Sequence, residues 1–113
     1  MEALIVELEL VGKLKTGDKL NVQDVVTIEH PHILSFITRW YYEDNRVKTS
    51  EYLQSLVVRT SEILTNPTTD ISRVTRATYN AVSGVRCLIF TYATDLAFVT
   101  KLENIVQQFE LLL

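Results

Sequence analysis

The sequence predicts a mostly α-helical protein, a compact bundle of four or five helices with a short extended or hairpin segment near residues 18–29. Three observations favour this class. Glycine and proline are scarce, at 3 and 2 of 113 residues, which argues against a loop-rich β protein. Apolar residues recur at helical spacing through most of the chain after residue 31. Prolines and residues that cap helices stand where these segments begin and end.

Length and composition indicate one domain, residues 1–113. Hydrophobic residues make up 47% of the chain and charged residues 22%, as in average soluble globular proteins. The net charge of −3 gives no reason to expect general affinity for nucleic acid or anionic membranes. A single cysteine excludes an internal disulfide framework and a thiolate-rich zinc module. No apolar run approaches the ~20 residues of a membrane span, so we expect a soluble, intracellular protein.

The first 29 residues are the least regular part of the sequence. Residues 3–15 fit both an alternating strand and a helix, and the preference of Leu, Glu, Lys and Ala for helices favours the helix. Residues 16–18 then form a turn, with Gly17 suited to a positive φ. The β-branched run at residues 19–29 predicts a short hairpin or extended crossover that must lie against helices.

A helix is predicted after Pro31, and Glu43-Asp44-Asn45 ends it. Its apolar face comprises Ile33, Leu34, Phe36, Ile37, Trp40 and Tyr41. Asn45 or Thr49 caps the next helix, which Asn66-Pro67 stops. The face of that helix comprises Leu53, Leu56, Val57, Thr60, Ile63 and Leu64.

Two further helices complete the predicted bundle. Thr69 or Asp70 opens the first, and Thr94-Asp95 caps the second. Gly84 inside the first costs about 1 kcal/mol relative to Ala, which indicates close approach of a neighbouring helix or a mild bend. The first has an apolar face of Ile71, Val74, Thr78, Ala81, Val82, Val85, Leu88 and Ile89, and the second one of Leu96, Val99, Leu102, Val106, Phe109 and Leu113.

No group of residues predicts catalysis, a metal or a cofactor. His30 and His32 are the only histidines, and zinc needs three or four ligands, so we interpret them as polar residues at a helix entrance. Cys87 has apolar neighbours and is expected to be a buried, inert thiol. Glu43 and Asp44 fit a solvated turn better than acid–base chemistry. Three glycines cannot form a phosphate-binding loop.

Two stretches are candidates for protein contacts. The first is Arg39, Trp40, Tyr41, Tyr42 and Arg46, which holds the residue types that dominate binding hot spots. Trp40 and Tyr41 are equally suited to the core, and Tyr42 and the arginines to ordinary surface. The second is Phe109, Leu111, Leu112 and Leu113, since four large apolar residues in one terminal turn cannot all face a single core.

Charge is unevenly distributed along the chain. Residues 1–35 carry a net −3, residues 36–90 a net +2 and residues 91–113 a net −2. Opposite-signed sectors suit docking of like copies or neighbours, and a solvated face without a partner explains them equally well. An alternative function is nucleic-acid binding through Arg73, Arg76 and Arg86. The acidic chain makes nucleic acid the less favoured partner.

Part of the sequence resembles small proteins of large icosahedral double-stranded DNA viruses. The resemblance covers roughly residues 4–60 and depends on Gly12-Lys13-Leu14, Gly17-Asp18-Lys19-Leu20, Thr27-Ile28-Glu29, Arg39-Trp40-Tyr41-Tyr42 and Asn45-Arg46. It implies a minor structural or capsid-associated protein that bridges capsomers or helps their assembly. The expected location is then the virion, and the expected partner a major shell protein.

The function predicted from the residues is that of a non-enzymatic structural or assembly protein acting through protein–protein contacts. A second copy of the chain, as a homodimer, is one expected partner. Besides nucleic-acid binding, the remaining alternative is a helical regulatory adaptor whose groove accepts a partner helix.

Overall fold

A computed structural model describes residues 2–14 and 44–113, and these form four α-helices. They are α1 (Glu2–Lys13), α2 (Arg46–Leu64), α3 (Ile71–Thr91) and α4 (Leu96–Leu112). The described residues contain no strand, and the predicted mostly α class is confirmed. The predicted turn at residues 16–18, the hairpin near residues 18–29 and the helix after Pro31 lie outside the described residues.

The ambiguous first segment is a helix, as favoured. Helix α1 is buried around much of its circumference, so apolar residues occupy more positions than one helical stripe. Some of them therefore fall at alternate positions, which is the pattern of a strand. Leu4, Leu8 and Val11 form the helical stripe that faces the core, and Ile5 and Leu10 widen it. A one-sided strand would have exposed Ile5, which is buried.

Three polar side chains cap the remaining helices. Asn45 accepts a hydrogen bond from the Lys48 backbone N–H at the start of α2, and Asp70 accepts one from Arg73 N–H at the start of α3. Asp95 does the same for Phe98 N–H at the start of α4. Each satisfies a backbone donor that has no partner within its helix. The sequence left two cap residues open for α2 and for α3, and Asn45 and Asp70 are the ones used.

Helices α1 and α3 pack so closely that their backbones touch. A Cβ atom on Gly84 would lie 2.7 Å from the carbonyl carbon of Val11 and 3.2 Å from the Cα of Gly12. A Cβ atom on Gly12 would lie 2.8 Å from the Cβ of Asn80. Real Cβ atoms do not approach other atoms this closely, so both contacts require glycine. The predicted close approach of a neighbouring helix at Gly84 is confirmed.

Helix α4 joins the two other long helices. The Arg86–Glu110 and Tyr92–Phe98 contacts show that α4 runs antiparallel to α3 along the C-terminal half of α3. The side-chain amides of Gln54 and Gln108 hydrogen-bond each other at 2.8 and 3.1 Å, which connects α2 to α4. Helix α1 meets the middle of α3, where Val11 and Gly12 lie against Gly84 and Asn80.

The buried residues of all four helices form one hydrophobic core. Most predicted apolar positions belong to it or pack against it, but four predicted on helix faces do not: Ile71, Leu96, Val99 and Leu113. Ile71, Leu96 and Leu113 are exposed, because each is the first or last residue of its helix or lies beyond it. On α4, Phe98 and Ile105 are buried instead, so the face toward the core is turned from the predicted one.

Candidate functional site

The first predicted interface stretch lies mostly outside the described residues. That applies to Arg39, Trp40, Tyr41 and Tyr42, and to His30 and His32. Arg46 is described, and it makes contacts within its own chain. Its Nη1 donates to Asp95 Oδ2 at 2.7 Å, and its Nη2 lies 3.5 Å from Asp44 Oδ2. The guanidinium carbon lies 4.5 Å from the centroid of the Tyr92 ring.

These contacts attach the start of α2 to the turn between α3 and α4. The hydrogen bond to Asp95 raises the pKa of Arg46, and the same bond lowers the pKa of Asp95. The Tyr92 hydroxyl donates to Asp44 Oδ1 at 3.0 Å and closes the cluster. Asp44 has a φ of 49°, a left-handed conformation that aspartate tolerates better than most residues. Arg46 therefore orients helices here, and its guanidinium is engaged before any partner arrives.

The second predicted interface stretch divides into buried and exposed residues. Phe109 has an exposed fraction of 0% and belongs to the core, so it is removed from the candidate interface. Leu112 packs against the core and is partly buried. Leu111 is 86% exposed, and Leu113 is also exposed. The expectation that the four cannot all face one core is confirmed, since the helix places Phe109 and Leu111 on different sides.

Exposed apolar side chains concentrate on α3 and α4. Among residues 2–14 and 44–113, eight large hydrophobic residues are exposed, and six of them lie on these two helices or at the end of α4: Ile71, Tyr79, Phe90, Leu96, Leu111 and Leu113. The other two, Val47 and Val58, lie on α2. Phe90 is the most exposed, at 87%, and Leu96 is 75% exposed. Sequence reasoning missed Phe90 as a surface candidate, and it placed Leu96 on the apolar face of its helix.

The three arginines proposed for nucleic acid do not form a single stripe. At about 100° per residue, Arg73 and Arg86 lie about 140° apart around α3. Arg86 also pairs with Glu110 of α4, which neutralises it locally. Arg76 is exposed and pairs with no residue in the described ranges. A phosphate backbone would therefore meet one unneutralised guanidinium on this face, with a carboxylate beside the next.

Sequence reasoning missed a buried ionic cluster between α1 and α2. The Glu7 side chain is 2% exposed, and its Oε1 accepts hydrogen bonds from the Tyr52 hydroxyl at 2.7 Å and from Arg59 Nη1 at 3.0 Å. Its Oε2 accepts a bond from Arg59 Nη2. The sequence did contain an indication of this cluster, because Glu7 falls within the otherwise apolar face of α1. An acidic side chain is buried at such a position only when a cation lies beside it.

The environment of this cluster shifts the pKa of both donors. Burial raises the pKa of Tyr52 well above its ordinary range, and the charge of Glu7 acts in the same direction. The hydrogen bond to Glu7 raises the pKa of Arg59. Each Glu7 oxygen already has a donor, and none of these three residues lines the surface grooves described here. The arrangement holds α1 against α2, and we assign it a structural role.

The remaining candidates for chemistry are few. Among the described residues no group of three His, Cys, Asp or Glu side chains is placed to hold a metal ion. Cys87 is partly buried, so the prediction of a buried thiol was wrong. An open groove between α2 and α4 is lined by polar side chains around the Gln54–Gln108 pair.

Comparison with protein-family models, with curated proteins and with solved structures finds no significant match to this chain. The described helices include none with the length and apolar character needed to cross a membrane.

Proposed function

We propose that this chain is a small, non-enzymatic assembly protein that acts by contacting other proteins, including a second copy of itself. The observation that carries the proposal is the exposure of Phe90, Leu96 and Leu111 on the α3–α4 pair. Burying one such side chain at an interface contributes about 1.5–3 kcal/mol, so a few of them are enough to drive weak association. The apolar side chains of α2 are fewer and smaller.

Self-association through α4 is the form of this proposal that its exposed leucines support best. Leu111 and Leu113 lie in or just beyond the last turn of α4, and Leu96 begins it. Between them the exposed side of α4 carries Lys101 and Glu103, charges of opposite sign. Two antiparallel copies of α4 can pair such charges at the rim while their leucines pack together.

The resemblance to small proteins of large icosahedral DNA viruses extends the proposal. In that setting the chain is a minor virion component that bridges or helps assemble a major shell protein. Co-purification with intact particles, beside the shell protein and at a constant ratio to it, is the expected result. A chain found in infected cells but absent from purified particles would contradict this extension and leave the self-association proposal standing.

The experiment that tests self-association is light scattering coupled to size-exclusion chromatography over a hundredfold range of concentration. We expect the mass to rise from monomer toward dimer. Leu111→Ser should keep the protein monomeric at concentrations where the parent protein dimerises. Val58→Ser on α2 is the matched control, because it also removes an exposed apolar side chain, and it should dimerise normally. A strict monomer at the highest concentration would refute the homodimer.

Nucleic-acid binding is tested in the same preparation. The test is a gel shift at low salt, because contacts to phosphates are strongest there and weaken steeply as the salt concentration rises. If a shift appears and Arg73→Ala/Arg76→Ala abolishes it, nucleic-acid binding replaces assembly as the proposed function. The separation of Arg73 from Arg86 around α3 and the Arg86–Glu110 pair support the expectation of no shift.

A further inference from the structure

We draw no further inference here: the strongest candidate, the exposed apolar patch around Tyr79 and Phe90 on the outer side of α3, carries none, because nothing in the structure shows what covers it.

Discussion

The backbone of Val11 lies against Gly84, with the carbonyl carbon of Val11 only 2.7 Å from where a Cβ atom on Gly84 would be. This contact brings α1 and α3 together without any side chain between them. It accounts for a glycine that weakens the middle of a 21-residue helix. The close packing of α1 on α3 at this point therefore depends on the absence of a single methyl group.

Replacing Gly84 by alanine should destabilise the protein, although alanine favours helices. The added methyl meets the backbone of α1, which cannot move aside as a flexible side chain would. We expect the free energy of unfolding in urea to fall by about 1–3 kcal/mol or more, the cost of overpacking a core. Ser83→Ala, one residue away and exposed, is the control and should change stability by less than about 0.5 kcal/mol. A Gly84→Ala protein as stable as the parent would contradict the close packing of α1 on α3.

Removing the cation beside Glu7 should cost more than removing an exposed ion pair. Arg59→Met leaves the Glu7 carboxylate buried without its counter-charge. Because the Arg59 side chain is itself 34% exposed, we expect a loss of about 2 kcal/mol, below the range for fully buried pairs. Glu7→Gln/Arg59→Met should recover most of it, since the amide still accepts from Tyr52 and carries no charge.

The exposed Arg86–Glu110 pair supplies the matched control for the buried Glu7–Arg59 pair. Both partners are well exposed, and exposed pairs contribute between about 0.2 and 1 kcal/mol. Arg86→Met and Glu110→Gln should therefore change the free energy of unfolding only slightly. Equal coupling energies for the two pairs, measured by urea unfolding, would show that burial of Glu7 does not strengthen its interaction.

Stability should fall at alkaline pH because of Tyr52. Its pKa is raised by burial and by Glu7, so the folded protein keeps the phenol proton at a pH where the unfolded chain releases it. Stability is full below the unfolded value of about 10 and decreases above it, by up to about 1.4 kcal/mol per pH unit. Urea unfolding between pH 8 and 11 measures this slope.

The same titration in two variants isolates the contribution of Tyr52. Tyr52→Phe should be less stable than the parent at pH 8, because it loses the hydrogen bond to Glu7, and should show a shallower decline above pH 10. Tyr79→Phe removes an exposed phenol and should follow the parent curve. Identical slopes for the parent and Tyr52→Phe would mean that the Tyr52 phenol is not held protonated by the fold.

The carboxyl of Asp95 should titrate below the usual range for aspartate. Arg46 and the Phe98 backbone N–H both donate to it, and both lower its pKa. Its contribution to stability is therefore present above the unfolded pKa and is lost as the pH falls through the folded pKa. NMR detection of the carboxyl carbon gives the midpoint, which Arg46→Gln should raise. Lys48→Gln, which removes a cation paired with Glu51 instead, should leave the midpoint in place.

Local sequence signals predicted the helices well. Asn45, Asp70 and Asp95 each precede an apolar repeat, and a side-chain oxygen at that position can satisfy a free backbone N–H whatever the rest of the chain does. Gly84 likewise indicated close packing from its place in a helical repeat. These features depend on neighbours within four residues, which the sequence displays directly.

The candidate site was less accessible to sequence reasoning. Arg46 was predicted as a surface contact, but its guanidinium donates a hydrogen bond to Asp95, which lies 49 residues away in sequence. Phe109 and Leu111 are two residues apart and equally apolar, yet one is buried and the other exposed. Periodicity alone cannot choose between them, because the direction of the core depends on which helices pack against α4.

By itself the amino-acid sequence predicted a mostly helical protein, narrowed the starts of three described helices to one or two candidate caps each, and indicated a close neighbour or a bend at Gly84, because backbone hydrogen bonding and side-chain periodicity act over one or two turns. Only the tertiary structure decided that Glu7 is buried with Arg59, that Arg46 is engaged by Asp95 and that Phe90 remains exposed. Those outcomes depend on contacts between distant segments, and a rotation of one helix by a third of a turn would exchange its buried and exposed residues.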